Sequence, residues 1–560
     1  MTRQVWRMNR SIAAALCTTV LLASGCSSKL TATAPVNGER NSASAPVGSV
    51  APSFAAHGLD GAPIGSADFG GKVLVLNFWA TWCPPCRRET PDMISAYAHL
   101  NAHGVAFLGL DTTETAPVIQ SFVALKNVRY PVALAGPDVY NGYGIAFIPT
   151  TIVVDPRGIV RARWVGQITP KTLAELVASA RAGRNATFES PEQKRIDAML
   201  DVSKFNYTGN RAAVVAEVKR AKQRLDAVDA YESKLYVDGT PLYDGERATQ
   251  EQGAFTLAAA NALTREAQSP KEKRDALMML GSAYGLLNRW ADAAALYRTD
   301  LTKTPKDPAL NGALTDAYYR LHDYPEMAAA ARTWIAVAPK DPDAWDDLGK
   351  AFQRMQHFKE AVPPYETTLK LLKDVAAKQP IGKDGDAATA VADESMDVAD
   401  VYVSLGDAAN ARKTFDQAVR YGQMIPPTSV YAAMRDRTRD RAVEGMAAVA
   451  LTNGSDKTTI SLSKWVGADL PGSVASTYKY RLVVVAPANR NVTLVTRGLG
   501  KDWIASFCAD RLCSPNTVSF VVPPSGVKSY EFQLVPPTPG AVPGRVLVGA
   551  DDGDWIATPS

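Results

Sequence analysis

Histidine and cysteine are both scarce in this chain, with five and six respectively in 560 residues. A zinc site takes about four ligands from Cys, His or carboxylate, and few histidines are available to complete one. Neither sign of charge is in excess. Sixty-one Lys and Arg against 57 Asp and Glu leave +4, too weak a balance to suggest a nucleic-acid partner. Beyond the first two dozen residues no apolar run is long enough to span a bilayer. What remains is ordinary for a soluble globular protein, 46% hydrophobic and 21% charged. The length is too great for one core and predicts two to four domains.

The N-terminus has export-signal grammar. Arg3, Arg7 and Arg10 form a basic start, Ser11 to Ala23 an apolar stretch, and Ala23, Ser24 and Gly25 precede Cys26. "LASGC" resembles a bacterial lipoprotein cleavage box, although its leucine stands one place further from the cysteine than is usual. Residues 1–26 are therefore expected to be a lipoprotein signal with Cys26 as the lipidated residue, the alternative being a plain signal peptide. Ser27 supplies no acidic retention signal, which points to the outer membrane where the cell has one. Residues 27–50 are small and polar and read as a tether, with an r.m.s. reach of roughly 25–30 Å. The chain is thus expected on the periplasmic side, anchored by lipid.

Four domains or regions follow. Residues 51–184 read as α/β. "KVLVLNF", "VAFLGLD", "TTIVVD" and "IVRARWVG" are strand patterns, separated by helical periods at Thr90–Asn101, Ala116–Leu125 and Pro170–Ala182, with a hairpin turn at "DPRG". Residues 185–274 are a helical connecting region with no visible chemistry. From Asp275 a 34-residue period appears: Leu280, Leu314, Leu348; Tyr284, Tyr318, Phe352; Pro305, Pro339. It places small residues where helices touch, aromatics between them and proline after the second helix. This is the helix–turn–helix grammar of tetratricopeptide repeats, expected over 275–425. A degenerate fourth repeat carries Tyr402, Gly406, Ala411 and Phe415, separated from the third by a run from Gln379 to Glu394. Short alternating strands over 453–560 predict a β-sandwich.

Cys17 leaves with the signal and Cys26 carries lipid, so two cysteine pairs remain, in a compartment where disulfides persist. The first lies in "NFWATWCPPCRRETP". Cysteines at i and i+3 behind a buried strand and at the mouth of a helix suit dithiol chemistry. Unpaired N–H groups and the positive helix end favour a thiolate on Cys83. Cys83 is therefore the expected nucleophile, and Cys86, one turn inside and less exposed, the resolving thiol. Pro84 and Pro85 suit the first helical turn. Two other readings are half of a metal site or a structural disulfide. No histidine pairs with the motif at ligand spacing, and the expected chemistry uses no metal and no cofactor. The second pair, Cys508 and Cys513, reads as a local disulfide pinning a sandwich loop; exchange of electrons with Cys83 is the sharper alternative.

"FWATWCPPCRRETP", followed about sixty residues later by "GIAFIPTTIVVDPRGIV", resembles the thioredoxin fold and, within it, the TlpA-like membrane-anchored thiol-disulfide oxidoreductases. The resemblance covers Ala51 to about Arg184. It implies that Pro149 is a cis-proline facing the cysteines, that the backbone of Ile148 pairs with an incoming substrate chain, and that Trp82 belongs to the substrate-binding surface. Thioredoxin itself has a buried aspartate where this chain has Asn77, so the proton shuttle must lie elsewhere. Glu89 stands where the family often has an acid. It is either that shuttle or a first-turn residue complementing the helix dipole.

Three functions compete. In the first, an exported, tethered oxidoreductase reduces disulfides of exported proteins, is recharged by a membrane or soluble thiol donor, and recruits a protein partner on the concave face of its repeats. In the second, the repeats and sandwich form an assembly scaffold with an auxiliary dithiol. The third, a thiol peroxidase with antioxidant activity, fits less well: Thr81 stands only two places before Cys83, and the CxxC partner suits disulfide exchange better.

Overall fold

Val73–Phe78 is apolar except for Asn77, and all six residues are buried. A strand buried on both faces needs cover on both sides, as in α/β folds. It is β3 of a seven-stranded mixed sheet formed by β1 (Ala55–Gly58), β2 (Pro63–Gly65), β3, β4 (Val105–Asp111), β5 (Val132–Ala135), β6 (Thr150–Val154) and β7 (Val160–Val165). The order is β2-β1-β5-β4-β3-β6-β7. The pairs β3–β4 and β4–β5 are parallel, whereas β3–β6 and β6–β7 are antiparallel. β7 alternates buried and half-buried residues, as its sequence predicts. Strands β1, β2 and β5 have four, three and four residues, too short to carry a readable alternation.

This computed structural model describes residues 45–558 except 112, 187–190, 238–244, 379–384, 430, 455–456, 465–477, 501, 510–511, 524, 539–540, 542 and 551–554. The expected signal, Cys26 and the tether as far as residue 44 lie outside the described residues. Among the described residues, no helix is long and apolar enough to cross a membrane. The chain forms two compact units, one of residues to Thr112 with Tyr130–Pro339, the other of Thr113–Arg129 with Lys340–Ser560.

In the first unit the sheet carries α1 (Pro84–Leu100), α3 (Pro137–Gly142) and α4 (Pro170–Arg181). The crossover helix between β4 and β5, α2 (Ala116–Lys126), falls in the second unit. Three further helices, α5 (Pro191–Met199), α6 (Arg211–Val237) and α7 (Gly245–Glu266), enclose a small core around Phe205, Leu225 and Phe255. Two helical pairs follow: α8 (Pro270–Leu286) with α9 (Trp290–Leu301), and α10 (Pro308–Arg320) with α11 (Tyr324–Val337). The small residues do what the period implies. A Cβ on Gly281 would lie 2.1 Å from the Tyr297 hydroxyl, and one on Gly312 2.8 Å from the Trp334 ring.

Each first helix of a pair ends the same way. Asn288 and His322, 34 positions apart, have φ of 56° and 54°. The N–H after each closes back on the helix, Arg289 to the Tyr284 carbonyl and Asp323 to the Tyr318 carbonyl. This is the left-handed termination that caps orphan carbonyls.

The second unit continues the pairs with α12 (Pro342–Arg354), α13 (Phe358–Ala376), α14 (Asp386–Ser404) and α15 (Ala408–Met424), then adds α16 (Ala433–Thr452). Here two sequence readings change. The Gln379–Glu394 run, which separates the third and fourth repeats in the sequence, is helical from Asp386, where α14 starts; that helix is buried on more than one face, with Ala388, Val391, Ala392 and the consecutive residues Val398 to Val403 all covered. Residues 433–452, beyond the expected end of the repeats, form a helix whose Val443, Ala447 and Ala450 share a core cluster with Leu125 of α2. Ser121 of α2 donates to the Glu444 carbonyl at 2.8 Å, and Lys126 pairs with Asp440 and Glu444. Nothing in the local sequence of α2 announces partners some 320 residues away.

The C-terminal strands are β8 (Thr459–Lys464), β9 (Tyr478–Val485), β10 (Asn491–Arg497), β11 (Ile504–Ala509), β12 (Leu512–Pro515), β13 (Thr517–Val521), β14 (Val527–Val535), β15 (Leu547–Ala550) and β16 (Trp555–Ala557). They form two antiparallel sheets, β12-β11-β14-β9-β8 and β13-β10-β15-β16. One core, including Leu482, Phe507 and Phe532 of the first sheet with Leu494 and Val548 of the second, lies between them. Cys508 and Cys513 stand directly opposite each other on β11 and β12 and are bonded, with Cα atoms 4.0 Å apart.

Candidate active site

α1 begins immediately after Cys83, with Pro84 and Pro85 in its first turn. Cys83 is the N-cap, and its Sγ accepts the N–H of Cys86 at 3.2 Å. The residue that ends the strand-to-helix turn is thus also the one whose sulfur faces an orphan helix donor. Cys83 and Cys86 are joined as a disulfide, with Cα atoms 5.3 Å apart. Both are covered, at 2% and 1% exposure, so the expected contrast between an exposed and a shielded thiol is absent in this oxidised form. Trp82 is half-buried beside them. Arg87 donates to the Thr81 carbonyl at 3.0 Å and Arg88 to Gln167 at 3.3 Å.

Cys86, Glu89, Thr90, Met93, Ala96 and Leu100 make the buried stripe of α1. Glu89 therefore lies on the face that carries Cys86, one turn along. It is 1% exposed, and it lies beyond the first turn of α1, which holds no acidic residue, so the alternative of a first-turn residue complementing the helix dipole does not apply. Asn77 donates to its Oε1 at 3.0 Å and the Ile168 N–H to its Oε2 at 3.2 Å. Burial raises its pKa from 4.5 to about 8, against the two hydrogen bonds that favour the carboxylate and with a further push from Asp92. Asn77 also donates to Thr151 on β6 at 3.3 Å. Tyr130, buried in the same region, is pushed up first by burial and then by Glu89. Gly109 on β4 leaves room for the Trp79 ring, since a Cβ there would come within 2.9 Å of its Nε1.

The Ile148–Pro149 peptide is cis, and the Ile148 carbonyl oxygen lies 3.8 Å from Cys83 Sγ. The segment leading to it is held by its carbonyls. Arg163 donates to those of Tyr143 (2.6 Å) and Gly144 (2.7 Å), and Thr150 to that of Phe147 (2.7 Å). Asn288 donates to Gly144 (3.3 Å), His322 Nε2 to Ile145 (3.1 Å) and Arg320 to Ala146 (2.9 Å). The structure therefore brings Cys83, Cys86, Glu89, Ile148 and Pro149 into one site. The sequence reading missed Asn77 as the partner of Glu89, Arg163, and the three repeat side chains.

Residues 47–163 match the AhpC/TSA family, and residues 276–309 match the tetratricopeptide repeat. Thiol-disulfide oxidoreductase ResA of Bacillus thuringiensis subsp. konkukian is 36% identical over 130 residues, 23% of this chain and 75% of that protein. The protein of the same name from Bacillus subtilis is 31% identical over 140 residues, covering 25% of this chain and 78% of that one. This chain belongs to the thioredoxin-fold thiol-disulfide oxidoreductases of the ResA and TlpA-like group. A thiol:disulfide interchange protein of the thioredoxin family from Chlorobium tepidum aligns with a TM-score of 0.23 and 33% identity, over 24% of this chain and 97% of that one. In this oxidoreductase the family resemblance occupies about a quarter of the chain. The repeats and the two C-terminal sheets lie outside it.

Proposed function

We propose that this oxidoreductase is exported, tethered by lipid at Cys26, and reduces disulfides of exported proteins through the Cys83/Cys86 pair. The observation that carries the catalytic part is the Cys86 N–H on Cys83 Sγ at the mouth of α1, with the Ile148 carbonyl 3.8 Å from that sulfur. In the reduced state the same N–H and the helix end favour a Cys83 thiolate. That thiolate attacks one sulfur of a substrate disulfide; the S–S bond breaks and the other substrate sulfur leaves as thiolate. Cys86 gives its proton to the Glu89 carboxylate and attacks Cys83 Sγ. The second substrate sulfur leaves and takes a proton from Glu89. The first substrate thiolate takes its proton from solvent, so the substrate ends as a dithiol and the chain as the Cys83–Cys86 disulfide seen here. A thiol donor upstream must return the two electrons.

A carboxyl held near pH 8 by burial is suited to this exchange, because it can take and return a proton close to neutrality. Ile148, with Trp82 beside the cysteines, supplies the surface on which an extended substrate segment pairs. The repeats extend this reading to a protein partner, since stacked helical pairs offer a broad surface for one.

The test is a trap. The full chain with Cys86→Ser cannot resolve the mixed disulfide at Cys83. Isolated from its native envelope, it should carry thiol-sensitive adducts that are absent with Cys83→Ser. Stable partners that survive both substitutions, with no adducts, would refute the redox reading and favour a scaffold.

A further inference from the structure

Among the described residues, three side chains of the first two repeats donate to consecutive carbonyls of the segment that ends at Ile148. Asn288, His322 and Arg320 hold the oxygens of Gly144, Ile145 and Ala146. The donors share a place in the repeat. Asn288 and His322 occupy the same left-handed turn position 34 residues apart, and Arg320 is the last residue of α10, two before His322. In the second unit Arg354, 34 positions after Arg320, likewise donates to a main-chain oxygen, that of Thr113 at 3.2 Å. The turn edge of the repeats therefore carries a recurring carbonyl grip.

The chemistry of the grip is one-directional. A carbonyl can only accept, so His322 carries its proton on Nε2, and its Nδ1 faces the Tyr324 hydroxyl at 2.9 Å. Arg320 is only 9% exposed, and its guanidinium also covers the Phe147 ring, 4.9 Å from the centroid. A charged donor removed from water holds its acceptor more strongly than a neutral one.

We infer that Asn288, Arg320 and His322 are positioning residues for substrate: the first two repeats act as a splint that fixes residues 144–147, so that the Ile148 backbone is set to pair with a disulfide-bearing polypeptide. The inference rests on the oxidoreductase reading above. On this view part of the repeat surface is spent inside the chain, and the repeats tune the binding step.

Kinetics on the full chain test it with two probes, insulin, whose disulfides lie in polypeptide, and DTNB, a small disulfide with no backbone to pair. Arg320→Ala should raise KM for insulin about five-fold while kcat changes less than about two-fold, so that the insulin-to-DTNB ratio of kcat/KM falls at least about three-fold. Arg320→Lys, which keeps charge and a donor, should recover part of the loss. If Arg320→Ala does not fold, His322→Phe, which keeps a ring and removes the donor, carries the same comparison. Equal losses on both probes, or no change on either, would overturn the splint. A wild-type chain inert towards both probes would overturn the oxidoreductase reading itself, and the splint with it.

Discussion

Glu89→Gln separates a buried acid from a structural polar residue, and its effect changes sign with pH. In the fold Glu89 holds its proton up to about pH 8, whereas its ordinary value is 4.5. Between those values the folded chain binds a proton that the unfolded chain has lost. Stability conferred by the protonated carboxyl is therefore complete below about pH 4.5 and drains away as pH rises through about 8. At about 1.4 kcal/mol per unit the gap sets a ceiling of about 5 kcal/mol. Glutamine has no proton to lose, so its curve is flat over this range. It has one acceptor oxygen where Glu89 has two, and two donors face it, Asn77 Nδ2 and the Ile168 N–H. The unmatched pairing costs about 1 kcal/mol or more. The variant should thus be less stable than wild type at pH 5 and more stable at pH 9, with the curves crossing between. Hydrogen exchange of peptides covering β3 and α1 in the oxidised chain reads this locally, corrected for the intrinsic pH dependence of exchange. Parallel curves for wild type and variant from pH 5 to 9 would mean that Glu89 is already ionised in the fold, and the proton-shuttle reasoning would fail. In the reduced chain the same substitution should slow disulfide exchange at pH 7 by about 100-fold.

Four further outcomes follow from other sites. Asp155, in the β6–β7 turn, is pushed up by its burial but held down to about 2 by the Ile159 and Arg157 N–H groups and the Arg161 and Arg157 side chains. Its contribution is present above its ordinary value and is lost as pH falls towards 2, so Asp155→Asn should flatten acid unfolding of the first unit followed by Trp fluorescence. Gly349→Ala places a Cβ 2.8 Å from the Tyr365 ring and should cost about 1–3 kcal/mol, read as faster exchange in α12 and α13. Arg441 is buried in an ion pair with Asp400, so Arg441→Ala strands a carboxylate and should cost about 3–5 kcal/mol by denaturant titration of the second unit. Asn77→Ala removes the donor to Glu89 Oε1; because that bond favours the carboxylate, the acid limb of the exchange rate should move to higher pH in a pH–rate profile.

What could be read from the sequence was what repeats or concentrates locally. "FWATWCPPCRRETP" puts strand, turn, thiols and helix into one stretch, and its geometry follows from chain direction alone. The 34-residue period puts small residues where helices touch, and Gly281 against Tyr297 is one such contact. What stayed hidden depends on residues distant in the chain. Asn77 stood out as a departure from thioredoxin, but its partner lies twelve residues on, on another element, and only the fold joins them. Gln379 to Glu394 reads as a break between repeats because it is rich in Gly, Asp and Ala, yet from Asp386 its alanines help to pack α14. Asn288, Arg320 and His322 look like ordinary polar turn residues, because a carbonyl acceptor leaves no mark on its own sequence.

That last point bears on how such a chain can change over time. The three repeat side chains read main-chain oxygens, which every residue possesses. The side chain of Ala146 can change without loosening the hold on its carbonyl, whereas Ile145 is buried in the core of the redox domain and a change at residue 288, 320 or 322 is felt at once. Variation among descendants should therefore appear at Ala146 before it appears on the residues that grip it. Phe147 is the exception within the segment, because the Arg320 guanidinium covers its ring as well as holding the neighbouring carbonyl.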